Sequence, residues 1–129
     1  MSDAVKVGNE AARVFGPITR TDVVRYAGAS GDFNPIHHDD EFAAKAGYPS
    51  VFSIGMFQAA LLATFATDWL GAEKIRRYAV RFRDQVWPGD ELTCEGRIES
   101  VSENAIEVAL VCKRQTGTVA VTATASFAR

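Results

Sequence analysis

The sequence holds few of the residues that most readily betray a function. It has two histidines and two cysteines in 129 residues. Cys94 and Cys112 do not form a metal-ligand spacing, and a chain of this length, about half apolar, holds an adequate core without a disulfide framework. They read as free cytosolic thiols. Basic excess is missing too: 14 Lys and Arg against 16 Asp and Glu leave a formal charge of -2, which gives no footprint for nucleic acid or an anionic membrane. Any phosphate the chain binds has to be met locally.

The first fifteen residues, MSDAVKVGNEAARVF, lack the charged start, apolar run and cleavage site of a secretory signal, so a cytoplasmic protein is expected. The longest apolar stretch, residues 51–70, has the length of a membrane span. Ser53, Gln58, Thr64, Thr67 and Asp68 interrupt it, which favours a helix buried in protein. No repeat, low-complexity tract or linker divides the chain, and one domain over residues 1–129 is expected.

What is present falls into a helical first half and a strand-rich second half. Thr19 with Asp22 three residues on is a variant capping box, followed by Val23, Val24, Tyr26 and Ala27 at helical spacing and a stop at residues 28–31. A short second helix is predicted over DDEFAAKAG, capped by Asp39 or Asp40 and ended by Gly47. SIGMFQAALLATFATDWLG is apolar nearly all round, as befits a helix enclosed by other elements, with Ser53 as its cap and Gly71 as its stop. From Arg76 the period becomes two. Tyr78, Val80 and Phe82 form one face; PGD at 88–90 turns the chain; Leu92, Cys94, Gly96 and Ile98, then Ile106, Val108, Leu110 and Cys112, then Val119, Val121, Ala123, Ala125 and Phe127 form three more. Four strands joined by short connections predict an antiparallel meander wrapped around the apolar helix, an α+β architecture.

Both histidines lie in the run ASGDFNPIHHDD, residues 29–40. Asp32 and His37 are five residues apart, and Pro35 fixes its own φ while pushing Asn34 out of the helical region. In a rigid turn of that kind the two side chains can converge. A carboxylate and an imidazole sharing a pocket can hold a water molecule, take a proton from it and deliver one elsewhere. Alternatively, Asp32 and Asn34 make Asx turns and His37 packs on the next helix. A metal is not expected: His37, His38, Asp39, Asp40 and Glu41 are sequence neighbours that do not readily converge on one centre, and acids at a helix start account for the last three. No cofactor is called for.

The run YAGASGDFNPIHHDDEFA closely resembles the signature of the MaoC-like hydratases and dehydratases, the (R)-specific enoyl-CoA hydratase group. The matching positions are Tyr26, Gly31, Asp32, Asn34, Pro35, Ile36, His37 and Ala43. AGYPSVFSIGMF and VRFRDQVWPGDEL are similar to two further segments of that family, so the likeness covers most of the chain. The resemblance implies a hotdog fold, a curved antiparallel sheet around a long central helix, usually paired into dimers through a continuous sheet. It implies Asp32 and His37 as a catalytic dyad acting on trans-2-enoyl thioesters, with Asn34 and Pro35 supporting them. Gly55 matches the family glycine whose N–H, at a helix start, serves as oxyanion hole.

Three positions depart from the family pattern, one of them Ala29, which replaces the larger or more permissive residue usual before Ser30. Ile54 stands where histidine is frequent, and Ala63 where some members carry a serine, which together imply a drier pocket. Arg81 and Arg83, alternating with the buried face of a strand, are candidates for the phosphates of coenzyme A or of a carrier protein. Met56 and Phe57 are candidates for the acyl pocket. The partner expected is an acyl-CoA or acyl-carrier thioester, with a homodimer or a heterodimer of hotdog chains. A non-catalytic hotdog subunit and an acyl-CoA thioesterase are the alternative functions.

Overall fold

The structure is a computed structural model that describes residues 5–129. The first four residues of the stretch read against a secretory leader, and of the single domain expected over residues 1–129, lie outside the described ones. Among the described residues, five strands form one antiparallel sheet: β1 (Glu10–Phe15), β2 (Ile75–Phe82), β3 (Leu92–Val101), β4 (Ala105–Arg114) and β5 (Val119–Ala128), in the order β1-β3-β4-β5-β2. Three helices accompany them: α1 (Arg20–Ser30), α2 (Asp40–Lys45) and α3 (Gly55–Leu70). Helix α3 touches every strand. This is the expected hotdog fold.

Each helix begins and ends for a local reason. Thr19 Oγ1 accepts the Asp22 N–H at 3.0 Å and Asp22 Oδ2 accepts the Thr19 N–H at 2.9 Å, a complete capping box. Gly31, at φ 77°, closes α1 in the left-handed region, where a Cβ would be strained. Asp39 caps α2 by accepting the Glu41 and Phe42 N–H groups. Helix α3 differs from expectation. Its N-cap is Ile54, without a side-chain bond, because the Ser53 hydroxyl donates instead to Gln58 Oε1 at 2.6 Å.

The core lies between α3 and the inner face of the sheet. Leu62, Phe65 and Ala66 of α3 pack against Leu92, Cys94 and Ile98 of β3, Val108, Leu110 and Cys112 of β4, and Val121, Ala125 and Phe127 of β5. Fully buried side chains such as Leu62 and Phe127 each contribute about 2–3 kcal/mol of transfer free energy. The face assignments read from the period of two therefore hold for β3, for β4 and for β5 from Val121 onward; at the start of β5 the buried residue is Ala120 and not Val119, beside a register shift between β4 and β5.

Two expectations about the sheet need correction. β3, β4 and β5 form the meander, but β2 does not pair with β3 across the PGD turn; it crosses to the far edge and pairs with β5, from Ile75 opposite Phe127 to Phe82 opposite Val121. Phe82, placed by alternation on the buried face, is 52 % exposed at the end of that edge strand. The fifth strand, β1, was not expected at all. Its register puts Ala11, Arg13 and Phe15 opposite the inward positions Gly96, Cys94 and Leu92, so an arginine sits on the inner face while Val14 is exposed. Arg13 reaches Asp68 of α3 at 2.8 Å. That inversion removes the apolar-polar alternation by which a strand is recognised.

Candidate active site

Between α1 and α2 the chain makes nine residues of tight local turns. Ser30 Oγ accepts the Asp32 N–H at 3.3 Å, Asp32 Oδ1 accepts the Asn34 N–H at 3.3 Å, and Asn34 Oδ1 accepts the Ile36 N–H at 3.1 Å. Pro35 then opens a single 3-10 turn, Pro35–His37, in which its fixed φ and missing N–H cost nothing. The loop is clamped from outside by Asp40, which takes Arg20 of α1 at 2.9 Å and the Val51 N–H at 3.1 Å. The Arg20 guanidinium and the Val51 N–H hold the Asp40 carboxyl below the usual carboxylate range.

These turns aim Asp32 and His37 at each other: His37 Nε2 lies 3.8 Å from Asp32 Oδ2. The Asx-turn alternative and the converging-pair alternative are both realised, on different oxygens. Oδ1 of Asp32 holds the turn, and Oδ2 faces the imidazole. His37 is held in turn by Phe52, whose carbonyl oxygen lies 2.8 Å from Nδ1. A carbonyl can only accept, so Nδ1 carries the proton, and in the neutral ring Nε2 presents its lone pair toward Asp32. The ring also stands edge-on to Phe52, centroids 5.3 Å apart, within an aromatic group that includes Tyr48 and Trp87. His38 turns elsewhere, its Nε2 3.3 Å from the Phe33 carbonyl.

Phe52 joins the dyad to a second feature. Phe52, Ser53, Gly55, Gln58, Phe82, Arg83, Asp84 and Gln85 line a cleft of about 310 Å³ at the start of α3. Of the first-turn amides of α3, Phe57 N–H bonds the Ile54 carbonyl at 2.9 Å, while Gly55 N–H has no acceptor among the described residues. An unsatisfied N–H at a positive helix end is a ready donor to a developing negative charge. The Phe82 ring lies against Gly55: a Cβ there would stand 3.1 Å from Phe82 Cε1.

The remaining candidates are dispersed. Arg81 lines a separate depression of about 310 Å³ on β2 and β5 together with Arg77, Thr122 and Thr124, whereas Arg83 lines the Gly55 cleft. The strand ends at Phe82 and the Arg83 N–H bonds the Ala120 carbonyl, so the alternation that put both arginines on one face does not extend to residue 83. Met56 is exposed, and Phe57 packs against Tyr26 of α1, centroids 5.2 Å apart. Neither lines the Gly55 cleft. The Asp32 side chain is 41 % exposed against 11 % for His37, so this chain by itself does not supply the dry surroundings expected of the carboxylate. Phe82 and Gln58 were not singled out from the sequence; a large apolar residue at a strand end and a polar one in an apolar helix were the available signals.

The sequence model of the MaoC like domain matches residues 6–125. The (R)-hydratase from A. caviae involved in PHA biosynthesis has a similar structure, with a TM-score of 0.88 at 26 % identity over 96 % of each chain. A chain of the ChsH1-ChsH2 complex from Mycobacterium tuberculosis gives a TM-score of 0.85 at 26 % identity, covering 95 % of this chain and 97 % of that one. In sequence, the fatty acid synthase subunit beta of Aspergillus oryzae is 31 % identical over 94 residues, 70 % of this chain but 5 % of that much longer polypeptide.

Proposed function

The chain belongs to the MaoC-like domain family of hydratases and dehydratases, and from that premise we propose that it catalyses (R)-specific hydration of trans-2-enoyl thioesters, or the reverse dehydration of 3-hydroxyacyl thioesters, in a cytoplasmic setting. The observation that carries this reading is the approach of His37 Nε2 to Asp32 Oδ2 at 3.8 Å, with Nδ1 pinned to Phe52. Two acceptors at that separation leave one water oxygen within hydrogen-bond reach of both. Such a water donates its two O–H bonds to the pair and turns a lone pair toward the substrate.

In hydration the water oxygen bonds to Cβ while Asp32 takes one of its protons. The electron pair of the alkene moves through Cα to the thioester oxygen, giving an enolate. As that charge returns, Cα takes the proton back from Asp32, on the face from which water came. His37 holds the water in register throughout. The Gly55 N–H, free at the positive end of α3, is the donor proposed for the enolate oxygen. Arg81 and Arg83 are proposed for the carrier phosphates, and Met56 and Phe57 for the acyl chain. Asn34 and Pro35 hold the dyad in place.

The working unit proposed is a pair of hotdog chains, of one kind or two. Support comes from the exposure of Asp32 and of Phe33, Met56 and Phe82, and from the similarity to a chain of a two-component complex. Incubation with crotonyl-CoA tests the reaction, following the conjugated enoyl absorbance and free thiol together. Loss of absorbance without thiol is expected. Thiol release identifies a thioesterase, and neither signal over short and long acyl chains leaves a non-catalytic subunit.

A further inference from the structure

Gln58 is a buried polar side chain that the dyad mechanism does not use. It is 2 % exposed, lies in the first turn of α3 and lines the cleft that Gly55 opens. Its amide is held at one end by Ser53, whose Oγ stands 2.6 Å away. Ser53 is fixed in turn by its own N–H, which bonds the Val86 carbonyl at 2.7 Å. A contact of 2.6 Å is ordinary for O–H···O and too short for N–H···O, so the atom facing Ser53 is the amide oxygen and the NH₂ is at the other end.

That NH₂ has no acceptor among the described residues, yet no buried side-chain nitrogen or oxygen there lacks a partner. Nε2 is therefore not sealed in the core, and the cleft is the opening that Gln58 lines. Residues three apart share one face of a helix, and a helical side chain leans toward the N-terminus, which brings the Gln58 amide over the turn that Gly55 begins. Two donors without an acceptor among the described residues, one backbone and one side-chain, thus belong to residues that line one cleft.

We propose that the Gln58 side-chain amide is a second hydrogen-bond donor to the thioester carbonyl oxygen, beside the Gly55 N–H, and that Ser53 is a positioning residue that fixes which end of the amide faces substrate. This deepens the hydratase reading and rests on it. Charge grows on that oxygen as the enolate forms, so a donor held in place by Ser53 is worth more in the transition state than in the ground state.

The test uses Gln58→Met, which keeps length and volume and removes the donor, with crotonyl-CoA as substrate. The expected result is a fall in kcat on the order of a hundredfold with KM little changed. In the Asp32→Asn background, where turnover should be slow enough for bound substrate to be observed, the infrared C=O stretch of bound crotonyl-CoA should lie below its solution frequency. Adding Gln58→Met should move it part of the way back. Because Gln58→Met leaves the Ser53 hydroxyl without its acceptor, Ser53→Ala/Gln58→Met, which removes both partners, is measured alongside and should show the same loss. Unchanged kcat, or a lower kcat with an unmoved C=O stretch, overturns the proposal while leaving hydration intact. Absence of hydration by the unaltered chain removes the reading beneath it.

Discussion

His37 Nδ1 lies 2.8 Å from the carbonyl oxygen of Phe52, which fixes the imidazole in one tautomer and points its other nitrogen at Asp32. The contact joins the loop after α1 to the segment just before α3. The functional half of the ring is thus set by a backbone atom fifteen residues on.

Long-range ¹H–¹⁵N spectra of the neutral rings should show His37 as the Nδ1–H tautomer. Asp32→Asn and His37→Ala should each lower kcat by about 10²–10⁴-fold while the protein stays folded. Since both groups act on one water, the double variant should fall no further than the worse single one. Losses that multiply would mean the two side chains act separately.

Gly55 begins α3, where Ala is intrinsically better tolerated than Gly by roughly 0.5–1 kcal/mol. The added Cβ would meet the Phe82 ring at 3.1 Å, and that ring is half exposed and free to give way. Gly55→Ala is therefore expected to leave thermal stability nearly unchanged yet reduce kcat, because the methyl group and the displaced ring crowd the approach to the N–H. Full activity in Gly55→Ala would remove Gly55 from the mechanism.

Gly96 presents the opposite case, in which the neighbours are rigid. A Cβ there would stand 2.6 Å from Trp69 Cζ3 and 3.0 Å from Leu110 Cδ2, both packed between α3 and the sheet. Gly96→Ala should destabilise by about 1–3 kcal/mol in denaturant melts through overpacking. Trp69→Leu in the same chain should recover part of that loss.

The sequence makes the local devices of this fold legible and leaves the long-range ones hidden. The Thr19 capping box, the Asp39 cap, the inward faces of β3 to β5 and the convergence of Asp32 with His37 across Pro35 are each written within a few residues. β1 escapes because Arg13 turns inward to Asp68 while Val14 faces out, so its pattern makes sense only once α3 is in place. The partner of β2 is β5, some forty residues away, and nothing near Phe82 signals the crossing. Ser53 has the composition of a cap, but its hydroxyl is claimed by Gln58, a contact that depends on how α3 is entered.

Asp90, in the turn before β3, shows how a family-like motif serves stability instead of chemistry. It is 4 % exposed and accepts from Arg114 Nε at 2.7 Å, Arg114 Nη2 at 3.2 Å, Gln115 Nε2 at 2.8 Å and the Trp87 N–H at 2.8 Å. Burial pushes its carboxyl upward, but those donors together outweigh burial and hold it below the ordinary carboxylate range. A depressed folded value means that the ionised group adds stability which is fully present above the unfolded pKa of about 4 and is lost as pH falls through the folded value. Asp90→Ala leaves the Arg114 charge half-enclosed without its partner and should cost about 3 kcal/mol at neutral pH. Measured by denaturant melts, the stability curves of the two proteins should run parallel above about pH 4 and converge below it. Curves that stay parallel down to pH 2 would show that the pair contributes packing alone.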